Sequence, residues 1–110
     1  MRFEDDIAVS FMTVGELIYG AYCSSRCNQN TSLVDEFLST VLIVNTDIKI
    51  MKTFGLIKSA LKRDGVMLPD ADIMIASSAM EKCDFLVSGN LKHFKRIDGL
   101  KCYSWSDTVL

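Results

Sequence analysis

Glu16, Asp72 and Asn90 are the residues whose types and places could carry chemistry. Glu16 follows the β-like run IAVSF, Asp72 lies in the helical stretch LPDADIMIASSAM, and Asn90 closes the run FLVSGN. In open α/β sheets, sites gather at the carboxyl ends of strands, so residues in these places can converge. Two carboxylates and an amide form a set of hard oxygen donors, which suits Mg²⁺ or Mn²⁺ rather than a soft metal.

Asp72 is the most telling of the three, because of where its helix directs it. Pro69 favours an extended residue before it, Asp70 is a good N-cap, and a helix is expected from about Ala71. At about 100° per residue, Ile73, Ile75, Ala76, Ala79, Met80 and Cys83 lie within roughly 100° of Asp72, in the middle of the apolar stripe. Asp70 lies about 160° away, on the polar face with Ser77 and Glu81. A buried charge is costly unless it is paired or bound to a metal. Asp72 is therefore a ligand, half of a buried ion pair, a first-turn acid facing the helix dipole, or an acid at a wet rim. Glu16 also fits a capping box begun by Thr13, and Asn90 with Gly89 also fits ordinary turn chemistry. Ser88 is placed either to bond locally or to support a ligand.

The elements that position these residues can be read from periodicity. The strand IAVSF leads into a helix, TVGELIYGAYCSSRC, with Val14, Leu17, Ile18, Ala21 and Tyr22 as its stripe. NQNTSLVDEFLST is a second helix, VLIV a second strand, and TDIKIMKTFGLIKSALKRDG a third helix closed by Gly65. The Asp72 helix then leads into the strand FLVSGN, and a last short strand is expected near KCYSW. Helices alternating with short apolar strands predict an α/β fold with a parallel sheet covered on both faces. With no linker or repeat, residues 1–110 are expected to form one domain.

Composition narrows the partners. Hydrophobic residues make up 49% and charged residues 24%, which describes a chain that folds. The net charge is −2, so contact with nucleic acid must rest on a local patch. Lys58, Lys62 and Arg63 form one candidate, and Lys92, Lys95 and Arg96 another. The absence of an apolar membrane span and of a signal-peptide core predicts a cytoplasmic protein. Cys23, Cys27, Cys83 and Cys102 have neither a zinc spacing nor a disulfide pattern, so reduced thiols are expected. His93 is the only histidine, which disfavours histidine triads and multi-histidine metal sites.

Three segments, in order, resemble the PIN-domain ribonucleases, and among them the VapC toxins of toxin–antitoxin pairs. SFMTVGELIYGA resembles the family's helix start around a glutamate. LPDADIMIASSAM resembles its aspartate-led, alanine-rich helix, and FLVSGNLKHFKRIDGL its strand, turn and Phe-Ile-Gly-Leu ending. The similarity spans essentially the whole chain. By this resemblance Glu16 and Asp72 correspond to active-site acids, Asn90 to a position held by aspartate or asparagine, and Ser88 to a hydroxyl position. Asp70 matches a frequent but less essential acid. The family's first strand, which carries its first catalytic aspartate, has no counterpart here, and Asp5 and Asp6 do not replace it. The resemblance thus implies a PIN-like domain that is incomplete at its N-terminus, with exposed strand edges, a depleted metal site and little activity.

The implied activity is hydrolysis of RNA, tRNA or another structured RNA, by a Mg²⁺- or Mn²⁺-dependent endoribonuclease. Glu16 and Asp72 would hold the ion, Asn90 would place a ligand or water, and Lys92 or Lys95 would steer phosphate. The implied partners are a second copy of the chain and a small VapB-like antitoxin whose arginine pairs with the carboxylates. The other function compatible with an incomplete domain is a non-catalytic interaction module.

Overall fold

Ser10 ends the first strand and begins the first helix. It is extended (φ −68°, ψ 154°), and its hydroxyl accepts a hydrogen bond from the Thr13 N–H at 3.0 Å. A serine in this role satisfies one of the free amides that every helix start exposes. Strand β1 (Ala8–Ser10) therefore passes directly into helix α1 (Phe11–Tyr22). The capping box expected at Thr13 is not formed, because the helix has already started and Thr13 lies in its first turn. The computed structural model of the protein describes residues 7–104, in two compact units divided between residues 45 and 46. Asp5 and Asp6 lie outside the described residues.

In the first unit, helix α2 (Cys27–Leu38) follows a turn in which the Ser24 hydroxyl donates to the Ala21 carbonyl at 2.6 Å and accepts from the Asn30 amide at 2.9 Å. Strand β2 (Leu42–Val44) then pairs in parallel with β1, placing Ala8 opposite Leu42, Val9 opposite Ile43 and Ser10 opposite Val44. Parallel pairing requires a crossover, which α1 and α2 supply. Val9, Ser10 and Ala21 are the buried residues described in this unit. The stripe expected on α1 is only partly buried: Val14 and Ile18 are half-buried, but Tyr22 is 66% exposed.

The second unit holds the main core. Helix α3 (Ile48–Arg63) is capped by Asp47, whose carboxylate accepts from the Ile50 N–H at 2.8 Å. It ends at Gly65, whose φ of +71° suits a residue without a Cβ. Helix α4 (Asp70–Lys82) packs antiparallel on α3. Ion pairs join them at both ends: Lys58 to Asp70 at 2.8 Å, and Lys82 to Asp47 at 3.0 Å. Between α4 and strand β4 come strand β3 (Leu86–Val87) and helix α5 (Leu91–Phe94), a single turn that periodicity did not predict. Strand β4 (Cys102–Tyr103) pairs in parallel with β3. Ile57 and Leu61 of α3, Ile73 and Ala76 of α4, and Phe94 and Ile97 form the core. Burying a side chain the size of Ile, Leu or Phe contributes about 1.5–3 kcal/mol, and Phe94 ties α5 to this core.

Two expectations about α4 are corrected. Ser77, assigned to a polar face, is fully buried. Its hydroxyl donates to the Ile73 carbonyl at 2.7 Å, so a small polar side chain is satisfied within its own helix and packs like an apolar one. Glu81, assigned to the same face, accepts from the Thr53 hydroxyl of α3 at 2.8 Å, so that face meets α3. Asp70 is the first helical residue and not the cap; Pro69 precedes it, with no side-chain cap bond. Its carboxylate goes to Lys58 instead.

The fold class is as expected, α/β with parallel strand pairing, although the described strands form two separate two-stranded ladders. All four cysteines are free, Cys23 exposed and the others half-buried. Among the described residues no helix is long and apolar enough to cross a membrane.

Candidate functional site

The site in the second unit begins at the first turn of α4. Pro69 (φ −58°, ψ 143°) turns the chain into the helix, and Asp72 follows with its side chain 18% exposed. This near an N-terminus, the unpaired amides favour a negative charge. The direction read from the helix wheel holds: Asp72 faces protein, while Asp70 is exposed.

What Asp72 meets is His93. Its Oδ2 lies 2.8 Å from the His93 Nδ1, and the amide nitrogen of Asn90 lies 3.0 Å from the same ring nitrogen. The structure thus brings Asp72 and Asn90 to one imidazole. Asn90 is fixed by backbone bonds: its N–H donates to the Ser88 hydroxyl at 3.0 Å, and its carbonyl accepts from the His93 N–H at 3.2 Å. Ser88 in turn donates its N–H to the Tyr103 carbonyl at 3.0 Å, which ties the turn to β4. Of the two roles open to Ser88, the structure displays the local one. Phe94, 3% exposed, plugs the turn into the core beside His93. Sequence reasoning missed His93 because it asked only whether one histidine could build a triad. The available signal was its spacing: Asn90 and His93 stand three residues apart and Phe94 is an apolar anchor, as one helical turn requires.

Glu16 belongs to the other unit, in the second turn of α1, where it is exposed. Among the described residues its carboxylate has no hydrogen bond or ion pair, and no group of three or more His, Cys, Asp or Glu side chains is placed to hold a metal ion. The donor chemistry of Asp72 nevertheless fits a hard ion with a large hydration shell. Mg²⁺ keeps several waters and is commonly held by one or two carboxylates plus substrate phosphates.

The charged surroundings also differ in kind. Lys58 is tied to Asp70 and lies 5.8 Å from the centroid of the Phe54 ring, so it serves the α3–α4 packing. Lys62 and Arg63 sit in the last turn of α3, where cations offset the helix dipole. Lys92, Lys95 and Arg96 are exposed on and just after the turn that carries His93, and among the described residues they form no ion pair. Away from the site, Asp47 is held below its ordinary carboxylate value, first by the Ile50 N–H and then by Lys82. Burial, with a lesser push from Asp84, raises the Cys83 thiol.

No family model matches the chain. Among curated proteins it is 36% identical over 99 residues to ribonuclease VapC2 of Haemophilus influenzae, covering 90% of this chain and 75% of that one. It is 32% identical over 99 residues to the tRNA(fMet)-specific endonuclease VapC of Salmonella typhimurium, again covering 90% and 75%. Among solved structures, that of VapBC2 from Rickettsia felis, bound to a promoter DNA fragment, superposes with a TM-score of 0.85 at 36% identity, covering 91% of this chain and 75% of that one. With this fold and these relatives, the chain belongs to the VapC family of ribonucleases, the PIN-like toxins of toxin–antitoxin systems.

Proposed function

We propose that this protein is an endoribonuclease toxin that hydrolyses RNA phosphodiester bonds with Mg²⁺ or Mn²⁺, and that Glu16, Asp72 and Asn90 are the residues this activity depends on. The observation that carries the reading is Asp72: a carboxylate only 18% exposed, set in the first turn of a helix, beside Asn90 and below a cationic turn. A purely structural acid there would be expected to pair with a lysine or arginine, as Asp70 and Asp47 do.

A bound ion would supply an activated water and offset charge on the transferring phosphoryl group. Asp72 would hold it with water and phosphate as further ligands, and Glu16 is the other carboxylate assigned to the activity. The Asn90 amide would place a ligand or water. Lys92 and Lys95, exposed beside Asn90, would draw the phosphate backbone to the site, a local attraction that suits a chain whose overall charge is −2. The tRNA-specific relative supports tRNA as the substrate class, and with it a cytoplasmic site of action. The VapBC complexes among its structural neighbours support a VapB-like antitoxin as partner. Exposed Phe11, Tyr19 and Tyr22 on α1 and Leu33 and Phe37 on α2 supply apolar surface for that partner and for a homodimer.

The test is cleavage of labelled tRNA by the full-length protein, with Mg²⁺, with Mn²⁺ and with chelator. Cleavage that needs the ion and is lost in Asp72→Asn is the expected result. Chelator-resistant cleavage would remove the metal from the reading, and full activity in Asp72→Asn would remove the site. Antitoxin copurification and light scattering at micromolar concentration test the two partners.

A further inference from the structure

His93 makes two contacts through one atom, and the chemistry of imidazole does not allow both as they stand. Its Nδ1 lies 2.8 Å from a carboxylate oxygen of Asp72 and 3.0 Å from the amide nitrogen of Asn90. A ring nitrogen is a donor when protonated and an acceptor when bare, never both. Were Nδ1 bare, its lone pair would face an ionised carboxylate oxygen, an acceptor against an acceptor. Were it protonated, it would donate to Asp72 and could not accept from Asn90. The second conflict is easily removed, because the oxygen and nitrogen of an amide are nearly the same shape and can exchange by a half-turn. The first cannot be removed by turning the carboxylate, since both oxygens of an ionised carboxylate only accept.

We propose that His93 is a positioning residue for the catalytic carboxylate. Its Nδ1–H holds Oδ2 of Asp72, and the Asn90 amide turns its oxygen to the same proton. One imidazole thus orients two residues of the site, one on α4 and one at the start of α5. It leaves Oδ1 of Asp72 for a ligand. The ring's side chain is 38% exposed, and the adjoining Phe94, buried in the core, anchors the turn that carries it. Groups that orient a ligand by hydrogen bonding typically change metal affinity or activity about 10- to 100-fold when removed. This metal consequence rests on the site proposed above; the hydrogen bond itself does not.

The test exploits the fact that the chain has one histidine, so a histidine ¹⁵N label gives a single imidazole signal. Long-range ¹H–¹⁵N correlation of the full-length protein at pH 8 should show Nδ1 protonated and Nε2 bare, a preference that Asn90→Ala should leave in place and that adding Asp72→Ala to it should abolish. A bare Nδ1, or a pattern in the Asn90→Ala protein that Asp72→Ala leaves unchanged, would overturn the proposal. Mn²⁺ binding followed by electron paramagnetic resonance supplies the second arm. His93→Ala should weaken it about 10- to 100-fold, and His93→Gln, whose amide cannot reach the Nδ1 position, should do the same. His93→Asn places an amide N–H where Nδ1–H was and should restore affinity to within about threefold. Equal loss in all three folded variants would show that His93 does not act through Nδ1. If the unsubstituted protein binds no Mn²⁺ at all, the metal site is wrong, and the tautomer alone decides the hydrogen bond.

Discussion

Replacing Asp72 by asparagine, beside the same replacement at Asp70, separates a functional acid from a structural one two residues away. Asp70 is 64% exposed in its side chain, and its partner Lys58 is 54% exposed. Exposed pairs of this kind contribute about 0–1 kcal/mol and are screened by salt. Asp70→Asn should therefore lower stability by about 1 kcal/mol at most, less in high salt, and leave cleavage nearly unchanged.

Asp72 is 18% exposed and 2.8 Å from His93. Asparagine keeps an oxygen that can accept from Nδ1–H but carries no charge. A hydrogen bond to a charged group is worth about 1 kcal/mol more than a neutral one, so the stability loss should again be about 1 kcal/mol. Catalysis should respond quite differently. Removing a charge-stabilising group from an active site costs about 10²- to 10³-fold in kcat, or about 2.7–4 kcal/mol in the barrier. Single-turnover cleavage of end-labelled tRNA gives the barrier, and urea unfolding of the same preparations gives the stability. Equal losses of cleavage at the two positions would refute the division of roles, as would a loss at Asp72 matched by a collapse in stability.

Ile73→Ala should cost about 2–5 kcal/mol in urea unfolding, because Ile73 is 1% exposed in the core that seats α5; a cost under about 1 kcal/mol would mean that this core is not the support of the site. Asp47 has its carboxyl held below the ordinary 3.8, so its contribution to stability is present above that value and is lost as pH falls through the lower, folded one. Asp47→Asn retains a capping side chain but not the charge, so its stability deficit should shrink on acidification below about pH 4, and a deficit independent of pH would contradict the assignment. Iodoacetamide with mass spectrometry should find exposed Cys23 alkylated before Cys83, whose thiol is half-buried and raised by burial; the opposite order would count against this placement.

Those parts of the fold were legible in the sequence that depend on near neighbours. The order of strands and helices, the end of α3 at Gly65 and the inward direction of Asp72 follow from periodicity, turn chemistry and a wheel angle. The start of α1 was missed by a few residues because Ser10 and Thr13 are both competent caps, and the strand runs into the helix without a loop. Ser77 was put on the wrong side for a different reason. A wheel scores a serine as polar, whereas its hydroxyl can be satisfied by the carbonyl four residues back, after which only its small volume counts.

His93 marks where sequence reasoning about the site stopped. The Asp72–His93 contact joins residues 21 apart, and the helix bearing His93 is a single turn, too short for any periodic pattern to register. Counting histidines answers whether imidazoles can assemble a metal site or a triad among themselves. It does not ask what one imidazole does for a carboxylate, which is to supply a directed donor to a group that can only accept. Lys92 and Lys95 flank His93 on the same segment but could not replace it, since a flexible ammonium would bring a full positive charge to the place where a cation is proposed to bind. An imidazole N–H is a rigid donor that fixes the direction of the carboxylate, which the flexible ammoniums on either side cannot do.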